Sequence, residues 1–122
     1  MEKYVEVMKK SQELVDTMVE GLEHIQRLLS EGHEAQTVYL FENVVLAYTT
    51  IEKSLEPIQA EIKNEELQSV TKNLAHVLEL VVDSYEAKDY GKVQEVIQFT
   101  LTPQVINWKA VFESAFKPYI VS

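Results

Sequence analysis

Helix breakers are few and widely spaced in this chain. Glycine occurs only as Gly21, Gly32 and Gly91, and proline only as Pro57, Pro103 and Pro118. Long stretches therefore run with nothing to interrupt a helix. Within them the apolar residues recur at steps of three, four or seven, the period of one helix face. Tyr4, Met8, Val15, Met18, Leu22, Ile25 and Leu29 make such a stripe and predict a first helix over residues 2–30. Gly32 stands where a left-handed residue ends a helix, and Arg27 in the last turn suits the negative end of the helix dipole.

A second helix starts near Glu34, with its stripe on Thr37, Phe41, Val44, Tyr48, Ile51 and Leu55. Pro57 removes a backbone donor, so this helix either ends at residue 56 or kinks and continues to about residue 62. Asn64 followed by Glu65 and Glu66 reads as a cap with acids in the first turn. The third helix, 65–88, buries Leu67, Val70, Leu74, Val77, Leu78, Val81 and Tyr85. Asp89 caps a fourth, 90–117, carrying Val93, Val96, Ile97, Thr100 and Leu101. After Pro103 the pattern resumes in a rotated phase on Val105, Trp108, Phe112, Phe116 and Tyr119, which predicts a helix kinked or broken at Pro103. Pro118 closes it. No period-two alternation or hairpin dipeptide supports a sheet.

The fold class that follows is all-α: a single domain over residues 1–122, folded as an antiparallel up-down four-helix bundle. The halves echo one another. Leu14, Met18, Leu22, Ile25 and Leu29 match Val70, Leu74, Leu78, Val81 and Tyr85 at a spacing of 56, and Val38, Phe41, Val44 and Ile51 match Val93, Val96, Phe99 and Ile106 at 55. Either a duplicated helical hairpin or periodicity alone accounts for this. Gly21, at the edge of the first stripe, suits close approach of a neighbouring helix.

Charge and composition narrow the function. There are 20 acidic against 11 basic residues, a formal charge of −9, and no cysteine. Scattered cations in an acidic protein disfavour nucleic acid, whose affinity rests on phosphate neutralisation. Disulfides, zinc–thiolate sites and cysteine nucleophiles are excluded, in keeping with a cytoplasmic protein. No segment reaches the roughly 18 apolar residues of a membrane span.

Catalytic and metal chemistry find few footholds. Bundle di-metal sites use inward Glu-x-x-His pairs, and the chain has none. His24 and His76 fall far from the apolar stripes of their helices, and of the carboxylates only Glu52 lies near a core boundary. No serine sits in a nucleophile elbow, and no glycine cluster can cradle a phosphate. The reading is of a protein without catalytic residues, metal or cofactor.

Apolar surface beyond what one bundle needs is the most informative feature. On the second helix Tyr39 and Leu46 fall almost opposite the core stripe, two turns apart, with Asn43 and Thr50 beside them and Leu40 and Ala47 widening the arc. A helix apolar most of the way round is buried on more than one side. Tyr39, Asn43, Leu46 and Thr50 are therefore the candidate partner-binding residues, for another protein or for a second copy in a homodimer. The alternative is that Tyr39 and Leu46 are ordinary scattered surface residues. The C-terminal aromatics Trp108, Phe112, Phe116 and Tyr119 read as core, and a small-ligand cavity lined by Tyr48, Trp108 and Phe112 is a further expectation.

Three resemblances bear on function. The segment Tyr85-Glu86-Ala87-Lys88-Asp89-Tyr90, continued by Val93, Val96, Leu101, Pro103 and Trp108, is similar to a recurring phrase in uncharacterised small helical-bundle proteins of Gram-positive bacteria. In that phrase Pro103 and Trp108 look structural. The layout of acidic helices with an unbroken first helix resembles the flagellar export chaperones, which hold an amphipathic segment of a secretion substrate, and implies a chaperone- or adaptor-like role. Arg27 and His33, five residues apart, match the loose Arg-x(4–6)-His spacing of the HEPN ribonucleases. That likeness implies RNA cleavage by those two residues, against a plainer reading of Arg27 as a helix-end residue and His33 as part of a turn.

Overall fold

The computed structural model describes residues 2–120 and is helical almost throughout. A short 3₁₀ turn, Glu2–Tyr4, leads into α1 (Val5–Ser30), so the α-helix begins three residues later than its stripe suggests. Then follow α2 (Glu34–Ile62), α3 (Glu65–Glu86) and α4 (Tyr90–Val96), and a π-helical turn (Ile97–Leu101) joins α4 to α5 (Thr102–Ile120). The backbone stays helical through both junctions of the π turn, so α4, the turn and α5 form one rod, the fourth helix of the bundle.

Chain reversals are built from local hydrogen bonds. After α1 the His33 amide donates to the Leu28 carbonyl at 2.9 Å and the Gly32 amide to Leu29 at 3.1 Å, with Gly32 at φ 81°. This is the Schellman arrangement, which satisfies the orphan carbonyls of a helix end. The end of α3 repeats it: Asp89 donates to Ser84 and Lys88 to Tyr85, both at 2.9 Å, with Lys88 at φ 57°. The early reversal ends α3 at Glu86 rather than at 88. Asn64 caps α3 through the Leu67 amide at 2.9 Å, and Asp89 caps α4 through the Lys92 amide at 3.1 Å.

The prolines act less abruptly than their chemistry suggests. Helix α2 runs through Pro57 and ends only at Ile62, where Lys63 turns left-handed at φ 47°. Pro118 likewise lies inside α5, which continues to Ile120 rather than stopping at 117. Pro118 stands in the last turn of α5 and Pro57 five residues before the end of α2, and each forfeits one backbone bond without ending its helix. Pro103 has the larger effect. Its ring collides with the carbonyl four residues back in a regular α-helix, and the turn before it is widened, with the Thr102 amide reaching the Ile97 carbonyl five residues back.

That wider turn corrects the spacing-55 comparison of the two halves. Phe99 and Ile106, paired there with the buried Val44 and Ile51, are 69% and 53% exposed. The buried residues of α2, namely Thr37, Phe41, Val44, Tyr48, Ile51, Leu55 and Ile58, match Val93, Ile97, Leu101, Val105, Trp108, Phe112 and Ala115. The offset is 56 at the first two pairs and 57 from Val44 and Leu101 onward. Against the second helix, the fourth carries one inserted residue, and the π turn absorbs it.

Helix α1 packs along both α2 and the fourth helix, α3 packs on the fourth helix, and contact between α2 and α3 is sparse. Gly21 sits where α2 crosses α1: a β-carbon there would touch Val44 Cγ2 at 3.5 Å. Trp108, Phe112 and Phe116 are fully buried and pack in series, the first pair tilted with centroids 4.8 Å apart and the second stacked at 5.3 Å, while Tyr119 at the end of the rod is 38% exposed.

A left-handed conformation costs a residue with a β-carbon on the order of 1 kcal/mol. Lys88→Gly is therefore expected to stabilise the fold by about 1 kcal/mol in chemical denaturation, as the glycine already present does at the equivalent turn.

Candidate functional site

Polar chemistry inside the bundle gathers where α2, α3 and α5 meet. The Tyr48 hydroxyl lies 2.8 Å from the Thr71 carbonyl and 3.1 Å from a Glu52 carboxylate oxygen, so its one proton is shared between two acceptors. The Trp108 indole N–H donates to Thr71 Oγ1 at 2.8 Å, and that hydroxyl donates to the Leu67 carbonyl at 2.7 Å. Tyr48 also packs on Trp108 at 5.5 Å between centroids. Every hydroxyl and indole group in this chain of bonds has a partner. Burial, and then the Glu52 carboxylate, push the Tyr48 phenol well above its usual range. A second tie joins α2 and α3 farther along: the Tyr85 hydroxyl donates to Thr37 Oγ1 at 2.8 Å, and Thr37 donates to the Glu34 carbonyl. Burial raises Tyr85 too, against a lowering by the Thr37 bond.

Below the Tyr48 tie the helices part, leaving an open groove of about 700 Å³. Leu55, Leu67 and Ala75 supply apolar lining, and Glu52, Gln59 and Thr71 supply polar groups. The Gln59 amide nitrogen donates to the Asn64 carbonyl at 2.6 Å, which fixes the orientation of the amide, and its oxygen is buried without a partner. A second opening of about 410 Å³ lies between α1 and α2. Tyr48, Trp108 and Phe112 line neither of these. They are packed together as core, and this corrects the expectation of a ligand cavity among them.

The partner-binding residues expected on α2 share one exposed stripe. Tyr39 is 73% and Leu46 63% exposed, and Asn43 and Thr50 are exposed beside them. Thr50 donates to the Leu46 carbonyl at 2.9 Å, which leaves its oxygen free to accept. Leu40 and Ala47 are half-buried and belong to the flank of the core. Sequence reasoning missed a second pair, Phe99 and Ile106, on the outer side of the fourth helix. The one residue that the π turn absorbs puts the two halves out of register there, so a comparison at a spacing of 55 sets both against core residues of α2. The only available signal was the run of three four-residue steps from Val93 to Val105, too long for one α-helical stripe.

Arg27 is exposed in the last turn of α1, where its carbonyl accepts the Glu31 amide, and His33 is exposed at the N-cap of α2. His24 and His76 are exposed as well. Glu52 is half-buried at the core edge, where the sequence pattern puts it, with Tyr48 as its hydrogen-bond partner. Among the described residues no helix is long and apolar enough to cross a membrane.

Fold and site together define a small all-α bundle with a hydrogen-bonded cluster around Thr71 in its interior and uncovered apolar groups on two of its outer helix faces. The chain belongs to the family described as a domain of unknown function, DUF8042, whose model matches residues 6–111. That span takes in α2, α3 and the fourth helix through Val111, so the groove and both outer faces lie within it. Neither a curated protein nor a solved structure matches the chain.

Two outcomes test this geometry. Thr71→Val strands the Trp108 N–H in the core and is expected to cost about 1–3 kcal/mol in urea denaturation, with Thr71→Ser costing less. The unfolded state ionises its tyrosines near pH 10, before the folded state ionises Tyr48 or Tyr85. Their stabilising contribution is therefore complete below pH 10 and is lost as pH rises from there toward the higher folded values. Tyr48→Phe should flatten that alkaline decline, as measured by denaturation midpoints on either side of pH 10.

Proposed function

We propose that this protein is a non-enzymatic interaction module that binds another protein chain through the outer stripe of α2. The observation that carries the reading is the exposure of Tyr39 and Leu46 on one line of a helix whose opposite face is fully committed to the core. Both side chains offer apolar area, and Asn43 and Thr50 offer hydrogen bonds at the same level of the helix. This is how helices recognise one another through anchors spaced by three, four or seven residues. The resemblance in layout to flagellar export chaperones supports the same kind of activity, a chaperone- or adaptor-like hold on a partner segment. The acidic exterior favours basic or neutral partners and slows encounter with acidic ones.

A photoreactive phenylalanine analogue in place of Asn43 should form a covalent adduct with a protein chain in the producing cell. The adduct should disappear when Leu46→Glu is added, and it should not form when the analogue replaces the exposed Glu79 on α3. No adduct above background at position 43 would overturn the reading. Leu46→Glu itself should shift folding stability by less than about 1 kcal/mol, as expected for an exposed position.

A second reading, a small-ligand carrier, draws on the groove between α2 and α3. The unpartnered Gln59 oxygen there would accept from a ligand N–H or O–H, with Leu55, Leu67 and Ala75 against an apolar body. Ligand binding to the folded state raises thermal stability by mass action, so a panel of amphiphilic metabolites that leaves the melting temperature unchanged removes this reading.

A further inference from the structure

We infer that the chain bound at the α2 stripe is a second copy of this protein, paired antiparallel about a two-fold axis at Leu46. The inference rests on the interaction reading above and names its partner.

In a protein of charge −9, copies repel one another wherever acidic faces meet. The outer face of α2 carries little net charge. At about 100° per residue, the exposed residues within about 40° of Leu46 are Ala35, Tyr39, Glu42, Thr50, Lys53, Pro57 and Ala60. Only one acid and one base occur among them. Glu42 and Lys53 are both exposed, and among the described residues neither forms an intramolecular ion pair. They lie on opposite sides of Leu46 along the helix and on the same side of its centre line.

An isologous contact brings residue i against residue j and j against i. With a rise of about 1.5 Å per residue, Glu42 lies about 6 Å before Leu46 and Lys53 about 10 Å after it. A two-fold axis at Leu46 reverses the partner helix, so Glu42 and the Lys53 of the second copy come within about 5 Å along the axis, on the same flank of the contact. Both crossed ion pairs then form. On the opposite flank Asn43 comes level with the second copy's Thr50, whose oxygen is free to accept from the amide. The two Leu46 side chains meet at the axis, and each Tyr39 covers the stem of the opposing lysine. Parallel pairing would set Glu42 against Glu42 and Lys53 against Lys53. All four stripe residues and both charges find partners in one orientation only.

The test is sedimentation equilibrium of the full chain at concentrations reaching the millimolar range. The natural protein is expected to form a reversible dimer, and Leu46→Glu a folded monomer by circular dichroism. Glu42→Lys and Lys53→Glu should each weaken the dimer about ten-fold, because each turns two attractive contacts repulsive. The double exchange should restore it, and the two single variants when mixed should form the heterodimer in preference to either homodimer. A monomer at every concentration, a dimer indifferent to Leu46→Glu, or single exchanges without effect would each overturn the inference. A monomer that still forms an adduct with another protein at position 43 would remove the self-pairing alone and leave the interaction reading standing.

Discussion

The fourth helix has to place one more residue than a regular α-helix allows while keeping Val93, Ile97, Leu101, Val105, Trp108 and Phe112 on one buried line. A regular helix would rotate the second half of that line by about 100° for the extra residue, carrying Trp108 and its aromatic neighbours out of the core. The π turn at Ile97–Leu101 takes up the difference. Everything at the centre of the molecule depends on this correction, because Trp108 can reach Thr71, and Tyr48 can rest on Trp108, only when α5 has the phase that the turn gives it. The accommodation is incomplete at two points: Phe99 is left facing solvent, and Thr102 Oγ1 is buried without a hydrogen-bond partner.

Polar ties carry more of the specificity of this core than their number suggests. Apolar contact alone would let α3 slide against α2, where packing is thin. The bonds from Tyr48 and Trp108 to Thr71, and from Tyr85 to Thr37, fix its height at two levels. A shift by one turn would leave several buried donors unsatisfied, each at the cost of its full desolvation. The same thinness opens the groove below Thr71, so one feature of the packing both requires the ties and leaves the groove along the Gln59 edge of α2.

Much of this was legible in the residues. The stripes on Met8 to Leu29 and on Thr37 to Leu55 mark buried faces because a three-to-four step has one structural meaning over several turns, and the caps at Asn64 and Asp89 follow from side chains that compete well for free amides. The outer position of Tyr39, Asn43, Leu46 and Thr50 follows from the same periodicity. What could not be read directly was anything that changes the period itself. A rotated phase after Pro103 was visible, but not whether a kink or an extra residue caused it, and so Phe99 and Ile106 were paired with core residues. The left-handed turns at Lys63 and Lys88 carry no glycine to announce them. The groove was equally hidden, since it arises from how far two helices stand apart, a distance that neither helix encodes alone.

Unequal packing around the bundle also separates the order of the helices in space from their order along the chain. Followed by close contact, the sequence is α3, the fourth helix, α1, α2, with the weak seam between the last and the first. The N-terminal and C-terminal helices are thus near the middle of the packed series, tied by Lys109 to Asp16 at 2.6 Å. The short link at Lys63 and Asn64 bridges its two outer edges. Geometrically, the molecule is a curved row of four rods whose margins are held together by a covalent strap, and its natural point of entry for a circularly permuted chain is that strap.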